Sequence, residues 1–143
     1  GQIIATRSSI SGAAGGCQAE IGSASSMAAG ALTYLQGGNC EQIATAAAMA
    51  MKNLLGLVCD PVAGLVEVPC VKRNVIGTVN AMACADMAMA GIVSRIPPDQ
   101  VMDAMKEVGD KMDASLRETA LGGLAQTDEG MKIAEKMHAS YEN

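Results

Sequence analysis

Residues 73–93, R-N-V-I-G-T-V-N-A-M-A-C-A-D-M-A-M-A-G-I-V, hold one cation at their start and one acid, Asp86, near their end. Alanine and methionine fall on every side of any helix drawn through them. A helix that is apolar all round belongs in the middle of a packed domain, so this stretch is expected to be a buried central helix. The rest of the chain supports the same architecture. Half of its residues are hydrophobic, yet it has no Phe or Trp, only Tyr34 and Tyr141 as aromatics, and eleven methionines. Strand-rich folds draw on β-branched and aromatic residues. A core of Ala, Gly and Met suits helices packed closely, with flexible thioethers filling the gaps. The expected fold is all-α: one compact multi-helix domain rich in Ala, Gly and Met, with cysteine-bearing loops.

Local signals divide the chain further. Residues 7–16 read as a small-residue loop, and 19–35 as a tightly packed helix stopped by Gln36-Gly37-Gly38. Asn39 with Gln42 forms a capping pair for a helix over 40–55. Pro98 and Asp99 suit the first turn of a helix over 98–112. Residues 115–124 read as a short helical turn ended by Gly122-Gly123. Thr127 caps a last helix to about 139.

Between the second helix and the central one lies C-D-P-V-A-G-L-V-E-V-P-C, residues 59–70. Pro61 and Pro69 each fix φ and lack an N–H, so the stretch is expected to be a shaped loop with a thiol at each end. Its spacing suits neither a zinc knuckle nor a Cys-x-x-Cys redox pair. Five cysteines form an odd set without an export signal, so the thiols read as core fillers, ligands or nucleophiles in a reducing compartment, the cytoplasm. Cys40 and Cys84 sit within helices and read as packing or incidental cysteines. Cys17, Cys59 and Cys70 each lie in a Gly- or Pro-conditioned segment at a helix boundary, where a shared metal or cluster site is one reading. Structural zinc and electron-transfer clusters usually take four protein ligands. Three cysteines on a four-iron cluster would leave one iron open as a Lewis acid.

Other chemistry is poorly supplied. A net charge of −5 without a basic patch disfavours nucleic acid, and the weakly charged runs make poor membrane spans. His138 is the only histidine and reads as a solvated residue near the C-terminus, which argues against Ser-His-Asp or Cys-His catalysis. No phosphate-binding Gly-Lys-Ser/Thr loop is present. Ser25 and Ser26 face small residues and read as packing. Asp60 is expected to order its own loop through nearby backbone N–H groups.

Three segments carry a resemblance: S-I-S-G-A-A-G-G-C-Q-A-E-I-G, G-L-V-C-D-P-V-A-G-L-V-E-V-P-C-V-K-R-N and L-G-G-L-A-Q-T. They resemble the iron–sulfur-dependent L-serine dehydratases, and the likeness runs over nearly the whole chain. It implies that residues 1–143 are the C-terminal portion of that family's catalytic α domain, with the N-terminal remainder absent. The opening G-Q-I-I-A-T-R, without an initiator Met, fits a fragment. The resemblance further implies an oxygen-sensitive [4Fe–4S] cluster held by Cys17, Cys59 and Cys70, and conversion of L-serine to pyruvate and ammonia without pyridoxal phosphate. The family's base, a histidine in the N-terminal part, has no counterpart here. The implied partners are L-serine, the missing N-terminal part or a β domain or subunit, and a second copy in a homo-oligomer. Arg73 and Asn74 are candidates for the substrate's carboxylate, with a structural salt bridge as the alternative for Arg73. Two other readings stay open: a related iron–sulfur lyase acting on threonine or cysteine, and a non-catalytic helical module holding zinc or nothing.

Overall fold

The computed structural model describes residues 1–141, which form seven α-helices joined by short π and 3-10 turns. Three of them make the body of the domain: α3 (Ser23–Leu35), α4 (Cys40–Lys52) and α5 (Cys70–Met89). Their shared interior is almost all small: Ala29, Ala46, Ala50, Ala81, Cys84 and Ala88, with Met49 filling the remaining gap. Small side chains let the helix axes approach closely. At the α3–α5 crossing, a Cβ on Gly77 would stand 2.8 Å from Ile21 Cγ2, so only glycine fits. Ser25 Oγ donates to Gly77 O (2.7 Å) and Ser26 Oγ to Ala47 O (2.9 Å), which confirms the packing role of both serines. Asn80 ties the bundle together by donating to Ser25 Oγ and Ala50 O, both at 2.9 Å.

The other helices flank this bundle. α1 (Gln2–Arg7) and α6 (Pro98–Lys111) pack on the far side of α4 through Ile4, Ala48, Met51, Val101, Met102 and Met105. α2 (Gly12–Gly15) precedes a π-helical turn, Gln18–Gly22, that runs straight into α3. α7 (Asp128–Tyr141) ends the described chain. The expected caps are in place: Asn39 and Gln42 form a reciprocal capping box, Pro98 opens α6, and Thr127 Oγ1 accepts from Gly130 N (3.1 Å).

Two expectations need correction. Residues 7–16 are not a continuous loop, because they include the end of α1 and all of α2. The supposed turn over 115–124 is two separate 3-10 turns, Ala114–Leu116 and Gly123–Gln126, and Gly122-Gly123 opens the second instead of closing the first.

The larger correction concerns α5. It is not buried all round: Val71, Val75, Ile76, Val79 and Met82 are 55–61 % exposed along one side. Its buried residues are all small (Gly77, Ala81, Cys84, Ala85 and Ala88), with Asn80 and Met87 half-buried beside them, because the close crossings leave little room for a branched side chain. The bulky residues that made the segment look like a core helix are the ones turned outward. No helix among the described residues is long and apolar enough to cross a membrane.

Candidate metal centre

The two ends of C-D-P-V-A-G-L-V-E-V-P-C come together with Cys17. The three Sγ atoms all lie within 4.8 Å of one another, two of the residues buried and Cys70 half-buried. Each is placed by a different device. Cys17 follows Gly16, whose φ of 75° turns the chain between α2 and the π turn. A side chain at Gly16 would run into Leu57 O, so glycine is required there twice over. Cys59 lies in an extended segment clamped from outside: its N–H donates to Leu116 O and its carbonyl accepts from Glu118 N, both at 2.8 Å. Cys70 is the first residue of α5, after Pro69, so it sits on a helix and not in the loop expected for it.

The loop between them is folded back on itself. Pro61 leads into a 3-10 turn at Val62–Gly64, Val62 N donates to Val68 O (2.9 Å), and Val71 N donates to Val66 O (3.0 Å). These bonds bring the two ends of the loop to one side, the task its prolines suggested.

Gln18 and Asp60 hold the wider frame. The buried Gln18 side chain donates to Met105 O (2.9 Å) and accepts from Gly56 N (2.9 Å), while its own N–H donates to Leu57 O (2.8 Å). It thereby fixes the Cys17 segment against α6 and against the approach to Cys59. Asp60 does not order its own loop. Its Oδ1 accepts from Arg73 Nη1 (2.6 Å) and its Oδ2 from Leu124 N (2.8 Å), sixty-four residues away. Gly123 can sit beside it only because it lacks a Cβ. The segment 113–127 is therefore strapped across the Cys59 loop at three backbone positions. Neither Gln18 nor this strap was singled out by sequence, since their partners are remote and no spacing rule links them.

Two glutamates border the centre. A Cβ on Gly12 would meet Glu20 Oε2 at 3.0 Å, Cys59 Sγ at 3.3 Å and Glu118 Oε2 at 3.5 Å, so both carboxylates and the thiol border the space beside Gly12. Burial pushes the Cys59 thiol well above its ordinary pKa, and its neighbours Cys17, Cys70 and Glu118 push it further. Burial and Cys17 also raise Cys70, with Arg73 opposing. Thiols so placed resist ionising beside one another unless a cation takes their charge. The donor set fits such a cation: soft sulfur ligands suit iron–sulfur clusters or zinc.

The other candidates lie apart from the trio or beside it. Cys84 is buried in the bundle, Cys40 is exposed at the start of α4, and His138 is exposed on α7. Arg73 Nη1 donates to Val58 O (2.8 Å) as well as Asp60, and the guanidinium also bears on Cys17. Burial works against the Arg73 charge, but Asp60 and then Cys17 outweigh it and raise its pKa. Asn74 Nδ2 donates to Cys70 O (3.0 Å), one helical turn back.

The fold and site define an all-α protein with three convergent thiols that could hold a metal. The chain belongs to the serine dehydratase alpha chain family, whose model matches residues 1–125. It is 61 % identical over 137 residues to the probable L-serine dehydratase alpha chain of Bacillus subtilis, covering 96 % of this chain and 46 % of that one. With the L-serine dehydratase alpha chain of Peptoniphilus asaccharolyticus it shares 54 % identity over 133 residues, 93 % of this chain and 46 % of the relative. With L-serine dehydratase 1 of Escherichia coli it shares 48 % over 126 residues, 87 % of this chain and 28 % of the relative. The chain thus spans less than half the length of these relatives.

Proposed function

We propose that this chain is the metal-holding part of an L-serine dehydratase, the C-terminal portion of its catalytic α domain, with Cys17, Cys59 and Cys70 as ligands of a [4Fe–4S] cluster. One observation carries the reading: three free thiols from three separate segments, mutually within 4.8 Å, in a member of this family. A cluster held by three cysteines supplies Lewis-acid activation of the substrate's leaving hydroxyl.

The residues of the chain have distinct tasks in that reading. The cysteines hold the group, Gln18 and the strap keep them converged, and Ile21, Leu54 and Leu57 pack beside them. Arg73 and Asn74, within one turn of Cys70, are the candidates for the substrate's carboxylate. The reaction removes the α-proton and the β-hydroxyl of L-serine as water, and the resulting enamine tautomerises and takes water back to give pyruvate and ammonia. The base for the α-proton is assigned to the remainder of the enzyme. A partner domain or subunit, or a second copy of the chain, would account for the exposed apolar side of α5. Free thiols suit a reducing cytoplasm.

The test uses the full-length protein reconstituted anaerobically with iron and sulfide. L-Serine should yield pyruvate and ammonia in equal amounts, and Cys59→Ala should lose that activity. Ammonia release from L-serine, L-threonine and L-cysteine compared side by side should favour serine; a strong preference for cysteine, or full activity in Cys59→Ala, would overturn the reading.

A further inference from the structure

We propose that the N-terminal portion of the full-length protein docks in the apolar groove between α1, α3, α4 and α6, laying an amphipathic helix along it from the residues joined to Gly1. The inference rests on the reading of residues 1–143 as the C-terminal portion of the catalytic domain. It goes beyond that reading by assigning the surface to which the rest of the domain attaches.

The groove has a volume of about 760 Å³, and its bulkier walls are Ile3, Met27, Ile43 and Met102. Ile3 and Met27 are 68 % and 47 % exposed. Contiguous apolar surface of this kind marks an interaction site in a soluble protein. A small-molecule site of this size would need several polar groups aimed inward to fix its ligand. Here the polar side chains of the walls are already engaged. Ser26 Oγ donates to Ala47 O (2.9 Å), and Arg7 donates to both oxygens of Asp103 (3.1 and 2.7 Å). Asp99 lies on the first turn of α6, where its charge suits the helix dipole. The groove therefore selects an apolar occupant, and a protein segment fits better than a polar metabolite.

Two observations identify the segment. The matched relatives from Bacillus subtilis and Peptoniphilus asaccharolyticus are covered over only 46 % of their length, so more than half of each has no counterpart here. Gly1 itself forms part of the groove wall, and a Cβ on it would stand 2.7 Å from Met27 Sδ. Successive Cα atoms are about 3.8 Å apart, so residues joined to Gly1 start at the groove. A segment tethered there competes at a high effective concentration, which a second copy arriving from solution lacks. Gly30, Ala44 and Ala47 add little bulk to the walls, which lets a helix approach closely. Helix-in-groove docking places apolar side chains every three or four residues against such a surface.

The experiment uses the full-length protein carrying Ile3→p-benzoylphenylalanine, a photo-cross-linking replacement at an exposed position that needs no room in the core. Irradiation, digestion and mass spectrometry should find a cross-link at the mass of one chain, to a peptide that precedes residue 1. Cys40, an exposed thiol of the groove in residues 1–143, should be alkylated slowly by iodoacetamide in the native full-length protein. Met27→Glu sets a charge into the docked surface. It should speed that alkylation at least about tenfold, equivalent to about 1.4 kcal/mol of lost docking, and lower the thermal midpoint. If Met27→Glu does not fold, the cross-link decides alone. A cross-link to a second copy or another polypeptide, or no cross-link, would overturn the groove assignment. So would wild-type Cys40 reacting as fast as in unfolded protein, or an unchanged alkylation rate in a folded Met27→Glu. Iron content and pyruvate release are measured on the same preparations; their absence from the wild type would overturn the metal reading and leave the groove assignment standing. A natural chain that starts at residue 1 would overturn the groove assignment together with the C-terminal placement.

Discussion

The α3–α4–α5 bundle and the cysteine-bearing region next to it are built on opposite principles. In the bundle, position is set mainly by smallness: alanines and Gly77 let three helices close on one another, with Ser25, Ser26 and Asn80 adding hydrogen bonds across the crossings. Around the trio, position is set by polar ties between distant segments. Gln18 bonds to α6 and to the Gly56 turn, Asp60 bonds to Arg73 and Leu124, and Cys59 is held on both backbone groups by 116–118. The bundle is loosened chiefly by changing volume. The thiol region can be undone by removing one polar atom.

That contrast can be broken experimentally, and Asp60→Ala is the strongest attempt. It leaves Arg73 buried without its carboxylate and Leu124 N without an acceptor, and removing one partner of a buried pair costs about 3–5 kcal/mol. Denaturant unfolding should show that loss, and iron uptake should fall with it. Ala81→Leu strikes the bundle instead. Ala81 is buried among the closest helix contacts, and overpacking a dense core costs about 1–3 kcal/mol. At matched stability, set by temperature, Ala81→Leu should retain more iron than Asp60→Ala; equal retention would mean that the two regions are not separable. The smallest effect is expected from Asn39→Ala, which removes the capping box of α4 and should cost about 1 kcal/mol. Its thermal midpoint should drop slightly while metal content stays at the wild-type level.

The same contrast explains what could be read from sequence. Helix class and several helix ends are legible because their signals are local: the Asn39–Gln42 pair, Pro98, Thr127 and the glycines after α3; α4 instead stops at Lys52, before the expected residue 55, and α5 covers Cys70–Met89 and not 73–93. The cysteine trio was legible through its motifs, and the loop's prolines correctly suggested that its ends meet. The orientation of α5 was not legible, because hydrophobicity marks bulky residues as core while close packing admits only small ones. Its Val75, Ile76 and Val79 ended outside for that reason. The strap was hidden for a different one. Glu118 and Ala120 adopt positive φ without being glycine, and Asp60 finds Leu124 across sixty-four residues, so neither propensity nor spacing announces the arrangement. Short-range rules offer Asp60 only local partners, so its sequence setting predicts a local turn former.

The central claim is that Cys17, Cys59 and Cys70, and not Cys40 or Cys84, hold an iron–sulfur centre. It is tested most directly by quantifying iron, acid-labile sulfide and zinc in the full-length protein under strictly anaerobic preparation, alongside Cys59→Ala and Cys40→Ala. The expected result is iron and sulfide in the wild type and in Cys40→Ala, with both lost from Cys59→Ala. Stoichiometric zinc without iron in the wild type, or undiminished iron in Cys59→Ala, would contradict it.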